Sequence, residues 1–196
     1  MRFVLVIAVL VLSLLFGCAM KPGAPSGPAN VSKLPTASIY EIVPRQTGDF
    51  PERFSHYVPM DLNVGCGGDG VMASDFDNNT TLGTIYAHAC EYSTIDEAKA
   101  GFQKLSGKTL PVVAGYNPEF FKPDYQPKRS LGDEWQITFY NDTFRSLHPV
   151  TVVVYARTSN YLVMVKNTKN NANQSAYSGL ADEAVQVANL MIGKIK

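Results

Sequence analysis

Residues 150 to 168 read VTVVVYARTSNYLVMVKNT, two runs of β-branched and aromatic residues (150–158 and 161–167) separated only by Ser159-Asn160. Runs of this composition form strands, and a two-residue polar link closes them into a tight hairpin. Just upstream, GDEWQITFYND supplies a further strand at about 133 to 141, so the natural pairing is an antiparallel meander. Downstream, beyond a polar stretch at 167–178, Leu180, Ala184, Val187, Ala188, Met191 and Ile195 recur at helical spacing. That apolar stripe predicts a C-terminal helix lying over the sheet.

The first half of the chain repeats the order. TIYAHACEY at 84–92 reads as a strand that follows the turn-forming cluster DFDNNTTLG at 75–83. Thr94 and Glu97 then make a capping box, and Ile95, Ala98, Phe102 and Leu105 share one face of a helix ending near Gly107. Strands followed by a helix, twice, predict an α+β fold: an antiparallel sheet packed by two helices, as a two-layer or αβα sandwich.

Composition narrows the function classes. The 196 residues carry 17 Lys plus Arg against 17 Asp plus Glu, and 45% are hydrophobic. A folded core is therefore expected, and the scattered basic residues make no stripe for a phosphate backbone, so no nucleic-acid partner is expected. The Pro- and Gly-rich stretch 19–38, AMKPGAPSGPANVSKLPTAS, has no apolar periodicity and reads as an extended tether. Residues 39–196 are then a single domain.

Ahead of the tether, Met1-Arg2 precede FVLVIAVLVLSLLF at 3–16, whose only polar member is Ser13. A membrane span needs about 20 apolar residues, so residues 1–17 read as an export signal peptide. Its exit, Leu15-Phe16-Gly17-Cys18, resembles the lipobox of prokaryotic lipoproteins. The resemblance implies cleavage before Cys18, a diacylglyceryl thioether on its sulfur and acylation, such as palmitate, on its new amino group. Phe16 is bulkier than the family's usual residue there. Two or three acyl chains make a stable membrane anchor at about 0.8 kcal/mol per buried CH₂. Ala19 after the cysteine implies the outer membrane in a cell with two membranes, and otherwise the outer face of the cytoplasmic membrane.

Within the domain, three short patterns resemble a loose class of envelope lipoproteins with PsbP/Mog1-like α+β domains. They are Tyr92 with Glu97-Ala98 and Phe102, Leu131-Gly132-Asp133-Glu134, and Asn160-Tyr161-Leu162-Val163. The resemblance implies an adaptor or binding module in place of an enzyme, and fold analogy alone does not carry function.

In an exported chain, Cys66 and Cys90 are expected to pair as a disulfide closing a loop of about 25 residues, stabilising by roughly 3 kcal/mol. The rival reading is a redox or metal thiol pair. His88 shares a strand face with Cys90, Tyr86 and Tyr92, but a zinc site needs further ligands, and His56 and His148 have no spacing that recommends them. A structural histidine beside a disulfide is the expectation. Asp75, Asp77 and Asn79 imitate a calcium loop, yet Thr80 and Tyr86 stand where Gly and a bidentate carboxylate are needed, which leaves a polar hairpin tip. No metal and no cofactor are expected.

No local catalytic pattern is present: there is no GxSxG, HExxH, Walker loop or dinucleotide fingerprint. The most unusual stretch is 111–127, PVVAGYNPEFFKPDYQP, whose prolines discourage helix and inner strand. Tyr116, Phe120, Phe121 and Tyr125 there either line a groove for a small apolar ligand or an envelope partner protein, or fold down to cap the sheet. Lys122, Lys128 and Arg129 give that surface a mild positive edge. The expected function is a lipid-anchored cell-envelope protein with a non-catalytic binding domain. The contrasting classes are an exported hydrolase or redox enzyme and a purely structural surface lipoprotein.

Overall fold

The computed structural model of the protein describes residues 34–60, 66–77, 80–106, 118–142 and 149–195. The signal, Cys18 and most of the tether lie outside the described residues. The compact unit begins at Leu34. Its entry is tied down by the Tyr161 hydroxyl, which lies 2.8 Å from the Ala37 carbonyl and 3.3 Å from that of Pro35.

Seven strands form one sheet: β1 (His56–Pro59), β2 (Gly68–Asp77), β3 (Thr80–Glu91), β4 (Pro118–Phe121), β5 (Glu134–Asp142), β6 (Val150–Thr158) and β7 (Tyr161–Lys169). Their order is β1-β2-β3-β7-β6-β5-β4, and every neighbouring pair is antiparallel. The expected β5-β6-β7 meander is present, and Thr158 pairs with Tyr161 across a turn in which Ser159 takes φ 54°. The long β2–β3 hairpin joins it through β3 and β7.

Among the described residues, three α-helices accompany the sheet: α1 (Ile39–Ile42), α2 (Ile95–Ser106) and α3 (Tyr177–Gly193). The single-turn α1 was not foreseen by periodicity because four residues are too few to display it. α3 lays Ala184, Val187, Ala188 and Met191 on Ile85, Ala87 and Ala89 of β3, Val163 and Val165 of β7, and Val154 and Ala156 of β6. α1 adds Ile42 and Val43 to the same core. α2 also lies against β6 and β7, but its buried Ala98 and Gly101 belong to no part of the cluster beneath α3. It therefore covers the opposite face, which makes the arrangement an αβα sandwich. Thr94 Oγ1 accepts from the Glu97 N–H at 3.1 Å, as the cap predicts.

One sequence expectation shifts in detail. The cluster read as turn-forming, 75–83, mostly extends strands: Asp77 pairs with Thr80, with a register shift at Asp75/Phe76. Pairing of β2 with β3 overrides the turn preference of Asp75 and Asp77. β1 and β2 left little signal, since β2 buries small residues such as Ala73 beside Val71.

The Leu131-Gly132-Asp133-Glu134 motif is a clamp on the β6–β7 turn. Gly132 takes φ +71°, and a Cβ there would run into Thr158 Oγ1 and the Arg157 carbonyl. The Asp133 carboxylate accepts from the Ser159 N–H at 2.8 Å and from Arg157 Nη1 at 3.1 Å. Arg157 is buried and also meets Glu134 at 3.3 Å.

Candidate functional site

β4 is a four-residue edge strand whose first residue is Pro118, the position at which a sheet tolerates proline. It pairs only with the far end of β5, Phe121 to Phe139 through Pro118 to Asp142. Glu134 to Thr138 of β5 consequently pair with β6 on one side and have no ladder partner on the other among the described strands. The chain after Phe121 leaves the sheet, and between residues 122–126 and this free half of β5 lies a groove of about 370 Å³. Lys122, Tyr125, Trp135, Ile137 and Phe139 are among its walls.

Alternation divides the expected aromatic residues. Phe121 turns toward the α3 side, where its ring meets Phe139 at 5.9 Å and Tyr177 at 5.7 Å. Phe120 turns to the other face, lies 5.8 Å from Tyr140 and stays 42% exposed. Tyr125 packs on Phe139 at 5.9 Å and donates to Asp182 of α3 at 2.9 Å. Burial first, and then the Asp182 carboxylate, hold its hydroxyl pKa well above the ordinary tyrosine value. Phe121 and Tyr125 thus fasten the segment down, and Tyr116 lies outside the described residues. Lys122, Lys128 and Arg129 are exposed. Only Lys122 of these three cations lines the groove.

Sequence reasoning missed Trp135, which is 37% exposed on the groove wall. Its signal was present in part: it alternates in phase with Ile137 and Phe139. Arg53 was also missed. It donates to both carboxylate oxygens of Glu183 at 2.8 and 2.7 Å, to Asp75 at 3.0 Å and to Asn167 at 3.1 Å, over the face of Phe54. Asp75 is therefore committed to a cation within the fold; Asn79, the third member of the calcium-like pattern, lies outside the described residues.

The Cys66–Cys90 disulfide joins the start of β2 to the end of β3, with Cα atoms 6.0 Å apart. His88 is buried beside it, with Nε2 3.8 Å from Cys66 Sγ and Nδ1 3.2 Å from Tyr86 Oη. His56 is not brought to this cluster. Its Nδ1 lies 2.9 Å from Ser55 Oγ and its ring is edge-on to Phe76. His148 lies outside the described residues.

No family model matches the chain, and no curated protein matches it either. Among solved structures, the extracellular domain of PknH from Mycobacterium tuberculosis aligns with 64% of this chain and 68% of its own, at 15% identity and a TM-score of 0.42. A Bacteroides thetaiotaomicron VPI-5482 protein aligns with 69% of this chain, which spans 41% of that protein, at 10% identity and a TM-score of 0.36. Likeness this distant says nothing of what the domain does. Among the described residues, no helix is long and apolar enough to cross a membrane. What the described residues define is an α+β domain with a disulfide-pinned hairpin at one side and an open, aromatic-walled edge at the other.

Proposed function

We propose that this chain is a lipid-anchored envelope protein whose single domain binds a partner without chemistry, through the groove beside β5. The observation that carries the reading is the free half of β5 with Trp135 and Phe120 exposed next to it. Open strand edges and exposed apolar patches are surfaces at which partners bind. Export is supported by the apolar run at 3–16 and by the Cys66–Cys90 bridge, since such bridges form in oxidising compartments. Anchoring rests on the Leu15-Phe16-Gly17-Cys18 pattern. Residues 19–33 then act as the spacer between lipid and domain.

The test has two arms in the native host, using the full chain. Cys18→Ser should move the protein from the membrane fraction to the soluble one; a variant that stays with membranes overturns the anchor. A photo-crosslinking residue at position 135 should give a discrete adduct that Phe120→Ala diminishes, whereas the same probe at exposed Gln186 should not. Identical patterns from both positions overturn the groove.

A further inference from the structure

The β2–β3 register sets Gly68 opposite Cys90 and Gly70 opposite His88. Residues directly opposite in an antiparallel pair point to the same face. The two glycines therefore leave that face empty over the histidine. A Cβ at Gly70 would stand 2.9 Å from His88 Nδ1 and 2.7 Å from Tyr86 Oη, and one at Gly68 would stand 2.8 Å from His88 Nε2. Gly68 and Gly70 thus make room for a buried imidazole, with Cys66 Sγ 3.8 Å from its Nε2.

The outcome is a cluster in which Cys66 Sγ, Cys90 Sγ and a His88 ring nitrogen all lie within 4.8 Å of one another. Zinc bonds of about 2.3 Å to sulfur and 2.0 Å to nitrogen place tetrahedral S and N ligands about 3.6 Å apart. Cys66 Sγ and His88 Nε2 are 3.8 Å apart. The tautomer in which Nδ1–H donates to Tyr86 Oη keeps the Nε2 lone pair toward the sulfurs, the outer contact that orients metal-bound histidines.

We infer that the dithiol form of this protein binds a thiophilic divalent cation, zinc in type, at Cys66, His88 and Cys90, and that the disulfide form does not. A dithiol reductant donates two electrons and two protons, breaks the Cys66–Cys90 bond and closes its own disulfide. Two thiols result, and the cation displaces their two protons on binding. Cys90 is fixed inside β3 between β2 and β7, so half-buried Cys66, at the open start of β2, is the ligand that moves. A tetrahedral cation would take water or a further ligand as its fourth partner. This site is separate from the β5 groove and does not depend on it.

The test is Co²⁺ titration of the full chain after anaerobic reduction with a dithiol, followed by removal of the reductant. One equivalent should bind with thiolate-to-cobalt charge-transfer absorption and be displaced by Zn²⁺, while the disulfide form shows neither. His88→Gln and, separately, Cys66→Ser should each weaken Co²⁺ binding at least about tenfold. Far-UV circular dichroism accompanies each titration. If reduction unfolds the chain, recovery of the native spectrum on adding one equivalent of Co²⁺ supports the site, and a chain that stays unfolded overturns it. A folded dithiol form that binds no Co²⁺, or binds it without charge transfer, overturns the inference. So does unchanged affinity in Cys66→Ser, whatever the folding of the His88 variant.

Discussion

Phe120 and Phe121 are neighbours in sequence and should behave as opposites when truncated. Phe121→Ala removes a ring packed against Phe139 and Tyr177, in a cluster completed by Val150, Val152, Leu180 and Ala181. Fully buried Phe→Ala changes cost about 3–5 kcal/mol. Phe121 is partly buried, so the expected loss is about 2.5 kcal/mol, including its two aromatic pairs. Phe120→Ala removes a ring that is 42% exposed and has Tyr140 as its ring contact, so about 0.8 kcal/mol is expected. With a urea m-value of about 2 kcal/mol/M for a domain of this size, the midpoint should fall by roughly 1.2 M and 0.4 M respectively. The assay is equilibrium urea unfolding followed by far-UV circular dichroism with the disulfide intact. Equal shifts, or a larger shift for Phe120→Ala, would mean that β4 pairs one residue out of the register described, because a single-residue slip exchanges the two faces.

Other expectations follow from single features of the fold. Gly132→Ala meets both the positive φ and the collision with Thr158 and the Arg157 carbonyl, and should cost about 2 kcal/mol or more in a thermal melt. Arg53→Met leaves Glu183 and Asp75 half-buried without their cation and should cost about 2 kcal/mol. Adding Glu183→Gln should cost less than the sum of the singles, and strict additivity in that double-mutant cycle would refute the coupling. Burial raises the hydroxyl pKa of Tyr92, Tyr125, Tyr155 and Tyr161 above the ordinary value of 10.0. Folding thus favours their protonated forms, so their contribution is complete below pH 10 and is lost as pH rises through the folded values. Urea midpoints should decline from about pH 10 upward, less steeply in Tyr125→Phe, and a flat profile to pH 11.5 would refute the assignment.

Much of the architecture is legible because its elements carry dense, single-phase patterns. Val150–Thr158 and Tyr161–Lys169 are central strands, so every position but Lys169 is at least partly buried and most are apolar, and α3 needs a continuous stripe to cover them. β2 is quieter, since a strand that closes on glycines and alanines needs few large side chains. Trp135 reads as one more inward residue of an alternating strand. Only the shortness of β4, which pairs with just one end of β5, turns its surroundings into a groove.

Sequence by itself determined the α+β class, the positions of the three meander strands and two main helices, and the pairing of Cys66 with Cys90. Periodicity, capping and cysteine count are properties of short stretches or of the chain as a whole, and they need no partner to be read. Tertiary structure alone decided that β3 docks on β7, that Phe120 and Phe121 part company across the sheet, and that Arg53 meets Glu183 from 130 residues away. It also decided that glycines at 68 and 70 admit His88 to the two sulfurs. Each of these depends on strand register and on the space between elements, and a register is fixed by burying two faces at once, which no stretch of chain does alone.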